Sequence, residues 1–263
     1  MASPVQSYII SCTPRSGSHL LADGLTLTGI AGCPKERFPR TLGSEIDTAA
    51  QRDMWFTRPP PESSYDIKLD AEYIEKSIEL GTTENGVFGI TIHRFQLNDA
   101  VRRIQAYLRA FNMAPHDVLS SAFPNLSYIW LRRRDKIAQA VSWHKAVQSG
   151  NYVKMRGTNT PATKGVKPEF DYEKIKEYWS ALRSSENGWE YFFKESRLSP
   201  LVIYYEDLAI NYSGTIAAVL DFLKLEYRGI PNHTPRHRKA ADEQSLEWVK
   251  KFLEIQSSIK KNR

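Results

Sequence analysis

A chain of 263 residues that is 41% hydrophobic can bury one sizeable core, so a single domain spanning residues 1–263 is expected. A formal charge of +6 favours an anionic partner and leaves nucleic acid, an acidic membrane surface and a polyanionic nucleotide open. The two cysteines, Cys12 and Cys33, follow no metal-ligand or disulfide spacing, and no apolar run reaches membrane-spanning length. With no secretory apolar segment at the start, a cytoplasmic protein with reduced thiols is expected.

The first element is Tyr8-Ile9-Ile10, a β-branched and aromatic run of the kind found in a buried parallel strand. Pro14 ends it, and Ser16-Gly17-Ser18 opens an amphipathic helix carrying Leu20, Leu21, Leu25 and Leu27. A helix start has unpaired N–H groups and the positive end of the macrodipole, which suits a phosphate or sulfate. Arg15 adds a permanent fork of donors, Ser16 and Ser18 add hydroxyls, and Gly17 lets an oxyanion approach the backbone.

Residues 29–38 form a Gly/Pro-punctuated loop with Glu36 between Lys35 and Arg37. Weak periodicity and the Pro59-Pro60-Pro61 run predict irregular structure to residue 65, around a short helix at 47–56. A helix over 70–80, a turn, a strand over 87–93 and a helix over 98–111 follow. Residues 126–131 make the clearest strand, which runs into Arg132-Arg133-Arg134-Asp135 and a helix to about residue 149. Ile137, Ala140, Val141, His144 and Val147 mark the buried stripe of that helix, and Ala138, Ser142 and Lys145 share another face. The polar stretch 150–168 reads as a mobile lid, and 33–65 as a second mobile loop. Then come a long helix over 172–196, a strand over 201–205 ending at Glu206-Asp207, and a helix over 213–223. A basic loop with Arg236, His237, Arg238 and Lys239 precedes a closing helix over 242–259.

Short apolar strands alternating with long helices predict an α/β fold, a central parallel sheet flanked by helices. Ligands of such sheets lie beyond the carboxyl ends of the strands, where residues 14–18, 132–135 and 206–207 all fall. The first turn lacks the second Gly and the Lys of a nucleotide-hydrolysing P-loop, and no G-x-G-x-x-G follows the first strand. Anion sites on two strands imply a ligand with two anionic ends.

Taken together, the motifs resemble those of sulfotransferases that use 3′-phosphoadenosine 5′-phosphosulfate. Arg15-Ser16-Gly17-Ser18 is similar to their 5′-phosphosulfate loop, and Arg134 with Ser142 eight residues on is similar to their 3′-phosphate site. Arg238-Lys239-Ala240 resembles the late Arg-Lys-Gly that touches the same phosphate. Within the superfamily the chain is most similar to the bacterial trehalose 2-sulfotransferase family, through residues 29–38, 123–150 and 238–249. The resemblance implies this nucleotide as sulfuryl donor, its bisphosphate as product, no metal, a sugar acceptor, a homodimer and no nucleic-acid partner. It also implies donor contacts from Arg15, Ser16, Gly17, Ser18, His19, Arg134, Ser142 and Arg238. Acceptor contacts are expected from Pro14, Cys33, Lys35, Glu36, Arg37 and Trp55, whose ring suits the C–H face of a pyranose.

Three departures stand out: Arg15 replaces a frequent Lys, His19 a usual Thr, and Pro14 the Gln that contacts sugar in the trehalose enzymes. The G-x-P-x-E-x-F pattern, Gly32 to Phe38, resembles the loop supplying the family's catalytic carboxylate, so Glu36 is the expected general base, with Arg15 stabilising the leaving charge. The bland alternative for Glu36 is a surface pair with Lys35 or Arg37. His93, at a carboxyl strand end, is the rival base; a neutral structural histidine is the ordinary expectation for it. Asp135 is expected to cap its helix and orient Arg134, and Glu206-Asp207 to cap a helix or pair with an arginine. The competing function is a non-catalytic basic module binding nucleic acid or another polyanion through Arg132–Arg134.

Overall fold

The computed structural model describes residues 4–37, 67–152, 167–227 and 242–261. Strands β1 (Gln6–Cys12), β2 (Val87–His93), β3 (Leu126–Arg132) and β4 (Leu201–Tyr204) form a parallel sheet in the order β2-β1-β3-β4. Parallel strands need crossovers, and the helices that make them cover both faces.

Side chains alternate across the pleat. Ile9 of β1, Phe88, Ile90 and Ile92 of β2, and Tyr128 and Trp130 of β3 enter one core. Helices α2 (Ile67–Gly81), α3 (Arg94–Leu108), α4 (Pro115–Ala122) and α6 (Tyr172–Glu195) close over that face, with Trp189 of α6 fully buried. Tyr8, Ile10 and Cys12 of β1, with Ile129, Leu131 and Ile203, face the other way. They meet α1 (Ser18–Leu27), α7 (Tyr205–Ile210) and α8 (Tyr212–Phe222). A third cluster joins α5 (Lys136–Ser149) and α6 to α9 (Glu243–Lys261) through Trp143, Tyr178, Trp248 and Phe252. Burying an aromatic of this size removes enough apolar surface that truncation to Ala costs about 3–5 kcal/mol.

All four strands stand where the sequence places them, and the α/β architecture is as expected. Two helices were not expected. Pro115 at the first helical position and Asp117 in the first turn are start signals for the short α4. Helix α7 begins at Tyr205, so the last strand stops one residue earlier than its apolar run suggests. Helix α3 starts straight after His93, ahead of the expected residue 98. The buried side of α5 is wider than its predicted stripe: Gln139, Trp143, Ala146 and Ser149 are buried as well, while Ile137 and Val147 are half-buried. The expected helix at 47–56 lies outside the described residues, as do most of the loop 33–65, the lid 150–168 and the basic loop before α9. Among the described residues no helix is long and apolar enough to cross a membrane.

Candidate active site

The carboxyl end of β1 runs into a turn, Thr13–Gly17, that is wound tightly by two left-handed residues, Arg15 at φ 62° and Gly17 at φ 93°. A side chain at Gly17 would put its Cβ 2.6 Å from Cδ2 of the Tyr205 ring, so only glycine brings the backbone this close to α7. Helix α5 braces the turn from the other side: Gln139 Nε2 donates to Thr13 Oγ1 at 2.9 Å and to the Pro14 carbonyl at 2.6 Å. Gly17 is the N-cap of α1, so the unpaired N–H groups of that helix face this turn.

Two guanidinium groups converge beside it. Arg15 Nε donates to Ser142 Oγ at 3.0 Å, and Arg15 Nη1 donates to the carbonyl of Tyr152. Arg133 Nη1 donates to the Arg15 carbonyl at 3.2 Å, with its guanidinium 4.8 Å from the centroid of the Tyr205 ring. Burial, reinforced by the charge of Arg133, lowers the Arg15 pKa to about 10, so Arg15 stays charged at neutral pH. Burial lowers Arg133 too, partly offset by Tyr205, Asp135 and Glu206. Among the described residues neither arginine forms an ion pair, and the buried Arg133 Nε and Ser16 Oγ have no hydrogen-bond partner. Desolvated cations and unpaired donors side by side make a seat for an oxyanion.

Arg134 is turned elsewhere. Its Nη1 and Nη2 donate to the two carboxylate oxygens of Asp207, both at 2.7 Å, over the Tyr204 ring. Glu206 accepts from the backbone N–H of Arg134 at 3.1 Å and of Asp135 at 3.3 Å. Asp135 caps α5 as expected, accepting from the Ala138 N–H at 2.8 Å, but the residue that orients Arg134 is Asp207. Arg132 is held by Glu186 at 2.8 Å and lies 4.2 Å from the centroid of the Trp130 ring.

Glu36 is set by the outer edge of β2. The Thr91 N–H donates to the Lys35 carbonyl at 3.1 Å, Thr91 Oγ1 donates to the Pro34 carbonyl at 2.6 Å, and Glu36 bridges Thr91 in parallel register. That placement brings Glu36 Oε1 to 2.8 Å from Nε2 of His93, the last residue of β2, and to 3.7 Å from Nε2 of His19 in α1. Arg37 swings to the carbonyls of Leu80, at 2.7 Å, and Cys33, at 3.4 Å. His93 Nδ1 lies 3.3 Å from Cys12 Sγ. Burial works to lower the His93 pKa, but Cys12 and Glu36 together outweigh it and hold the ring well above the usual imidazole value. The histidine that the sequence offers as a structural residue or a rival base is thus in hydrogen-bond contact with Glu36, and a carboxylate so placed favours the protonated ring over the neutral one.

The turn residues Pro14–His19, Ser142 and Glu36 thus come together at one edge of the sheet, with Cys33, Lys35 and Arg37 on the segment that carries Glu36. Arg134 faces away, and Trp55 and Arg238 lie outside the described residues. Sequence reasoning missed Arg133, Gln139 and the Cys12–His93 contact. The first two carry a signal in hindsight, since an Arg at a strand end and a Gln one turn into the next helix both abut the turn after β1.

A chain with this arrangement matches the family model described as Stf0 sulphotransferase over residues 7–254. It is 29% identical over 265 residues to a trehalose 2-sulfotransferase of Mycolicibacterium smegmatis, covering 96% of each chain. It is also 29% identical over 273 residues to a trehalose 2-sulfotransferase of Mycobacterium tuberculosis, again covering 96% of each. A solved sulfotransferase from Alicyclobacillus acidocaldarius aligns over 96% of this chain and 92% of its own, with a TM-score of 0.47 at 13% identity. With the family model spanning nearly the whole length, from within β1 into α9, the chain belongs to the Stf0 sulphotransferase family.

Proposed function

We propose that the protein transfers a sulfuryl group from 3′-phosphoadenosine 5′-phosphosulfate to a carbohydrate hydroxyl, with Glu36 as general base. The observation that carries this reading is the placement of Glu36, whose carboxylate is fixed at the carboxyl edge of β1 and β2 and meets His19 at the start of α1 at 3.7 Å. The donor supplies a sulfuryl group already attached to a phosphate leaving group.

The residues present fit a phosphorylated nucleotide: Ser16 Oγ and Arg133 Nε are buried donors in want of an acceptor, beside the guanidinium of Arg15. Glu36 takes the proton of the acceptor hydroxyl as its oxygen attacks sulfur. Arg15, Arg133 and the N–H groups at the start of α1 hold the negative charge that develops on the departing phosphate oxygen. Arg15 does so as a fixed cation and not as a proton donor, because its pKa stays far above neutral. Ser142, tied to Arg15, extends the cationic side toward α5. The relatives named as trehalose 2-sulfotransferases make trehalose the first acceptor to try, although Pro14 offers no side-chain amide to a sugar. A nucleic-acid surface on residues 132–134 finds little support, because Arg132 is bound to Glu186 and Arg134 to Asp207.

The test is mass spectrometry of a sugar panel, trehalose included, after incubation with the donor nucleotide. A gain of one sulfuryl group is the expected product. Glu36→Gln should bind adenosine 3′,5′-bisphosphate as the wild type does while turnover falls by about 10²–10⁴. Turnover near wild type in that variant removes Glu36 from the base role.

A further inference from the structure

The candidate base is not held by its own loop alone. Glu36 Oε1 meets His93 Nε2 at 2.8 Å, and the far ring nitrogen, Nδ1, meets Cys12 Sγ at 3.3 Å. One imidazole thus links the last residues of β1 and β2, which are paired in the sheet register as Cys12 and His93, to the carboxylate outside. The ring is itself immobilised. It stacks on Phe95 with centroids 5.5 Å apart and planes 6° from parallel, and its backbone N–H donates to Gln96 Oε1 at 2.8 Å. Cys12 is anchored in turn, its carbonyl accepting from Trp189 Nε1 at 2.8 Å. Exposure rises along the chain: Cys12 is 0% exposed, the His93 side chain 7% and the Glu36 side chain 30%.

We propose that His93, fixed by Cys12, is a positioning residue that aims the Glu36 carboxylate toward the turn after β1 and keeps it ionised. The proposal rests on the reading of Glu36 as the general base. A carboxylate on a surface loop samples many rotamers; a buried N–H donor facing one oxygen removes that freedom before the acceptor arrives. Among the described residues, the titratable and polar groups in contact with the His93 ring and backbone are Cys12 from β1, Glu36 from the edge segment and Gln96 from α3, with His19 of α1 on the far side of Glu36. If Glu36 favours His93 in its charged form, then by reciprocity His93 favours Glu36 in its ionised form, the form a base must have. In the transfer step the acceptor O–H bond breaks and its proton goes to Glu36. The acceptor oxygen bonds to sulfur, and the sulfur–oxygen bond to phosphate breaks with its electron pair leaving on the phosphate. His93 keeps its protons throughout.

The experiment combines kinetics of the full-length protein with ring-nitrogen NMR of ¹⁵N-histidine-labelled protein, in which His93→Gln identifies the His93 signals by their loss. His93 is expected to titrate above the ordinary imidazole range and to fall toward it in Glu36→Gln. His93→Ala should lower kcat by roughly 10- to 100-fold, with the donor KM and adenosine 3′,5′-bisphosphate affinity within about twofold. His93→Gln, which keeps an amide N–H for Glu36, should recover at least about tenfold of a 100-fold loss, and the acid limb of its kcat–pH profile should move to higher pH. A His93 titration indifferent to Glu36→Gln overturns the proposal, and so does an Ala variant that is folded and turns over normally. Should His93→Ala fail to fold, the NMR comparison still decides, because Glu36→Gln leaves the ring in place. A His93 titration that responds to Glu36→Gln in a protein that sulfates nothing retains the coupling but removes the reaction it was assigned to; an indifferent titration in an active enzyme does the reverse.

Discussion

Arg15 Nε and Ser142 Oγ are 3.0 Å apart, although 127 residues of chain separate them. The turn after β1 and the helix after β3 are thereby stitched together across the strand ends. Motif resemblance assigns the two residues to opposite ends of a nucleotide, yet they share a hydrogen bond. The second cation of the site is Arg133, whose Nη1 donates to the carbonyl of Arg15, while Arg134 is committed to Asp207.

This geometry ranks neighbouring arginines. Arg133→Met removes a buried cation with an unpaired donor, and a hydrogen bond to a charged group is worth about 1.5–3 kcal/mol, or roughly 10- to 100-fold in affinity. Arg134→Met removes a group held at the surface by Asp207. Calorimetry with adenosine 3′,5′-bisphosphate should therefore find the Arg133 variant weakened by that factor and the Arg134 variant within about threefold of wild type. The opposite order would mean that Arg134 leaves Asp207 when the nucleotide binds.

Gly17→Ala tests the turn itself. The φ of 93° disfavours any side chain, and a Cβ would sit 2.6 Å from Tyr205. Strain of this kind costs about 1–3 kcal/mol, and each kcal/mol lowers Tm by roughly 2–4 °C in a domain of about this size. Thermal unfolding should show the fall, with part of it restored by Tyr205→Leu in the same chain. A Gly17→Ala protein as stable as the wild type would show that α7 yields to the added methyl.

Much of this architecture is legible in the chain, for physical reasons that also explain what is not. The strands are short apolar runs bounded by Gly, Pro and polar residues, a local signal, and the turn at Pro14–Ser18 is likewise contained within five residues. Helices α4 and α7 are too short for periodicity to declare them, and only a helix-starting Pro115 and acidic first turns mark them. Which of three consecutive arginines packs against the turn after β1 depends on Asp207, 73 residues away from Arg134, and no local pattern encodes that. The contact of Cys12 with His93 depends on the register of β1 against β2, across 81 residues. Glu36 was nameable from its loop motif; its partner was not.

Stability should respond to pH at two sites with opposite signs. Asp242 starts α9 and accepts from Lys145 Nζ at 2.6 Å and from the Ser245 N–H at 3.0 Å; despite some burial these bonds pull its pKa from 3.8 to about 2. A depressed carboxylate contributes stability that is complete above its unfolded value and is lost as pH falls through the folded one, here from about 4 to about 2. The side chain is half-exposed, so the effect is modest, and Asp242→Asn should flatten the stability curve in that window. His93 is raised, so its contribution is complete below about pH 6.5 and is lost as pH rises through its folded value. The advantage of wild type over His93→Gln in urea midpoint should therefore shrink as pH rises on the alkaline side of that range. Parallel curves there would mean that the ring is neutral in the native state.

Gln139 tests whether the turn is rigid because α5 holds it. Its side chain is 0% exposed, and Nε2 divides its donors between Thr13 Oγ1 at 2.9 Å and the Pro14 carbonyl at 2.6 Å. Gln139→Met keeps the volume and length but leaves both acceptors without that donor, and an unsatisfied buried group costs about 1–3 kcal/mol. The turn so loosened also presents Ser16 and the start of α1 less reproducibly to an anion. Both the urea midpoint and the affinity for adenosine 3′,5′-bisphosphate should therefore fall, whereas a cavity-forming change in the third core cluster, such as Phe252→Leu in α9, should lower stability alone. If Gln139→Met lowers the midpoint and leaves nucleotide affinity untouched, the backbone of Thr13–Gly17 holds its shape without α5, and the rigidity of the site must come from Arg133 and Tyr205.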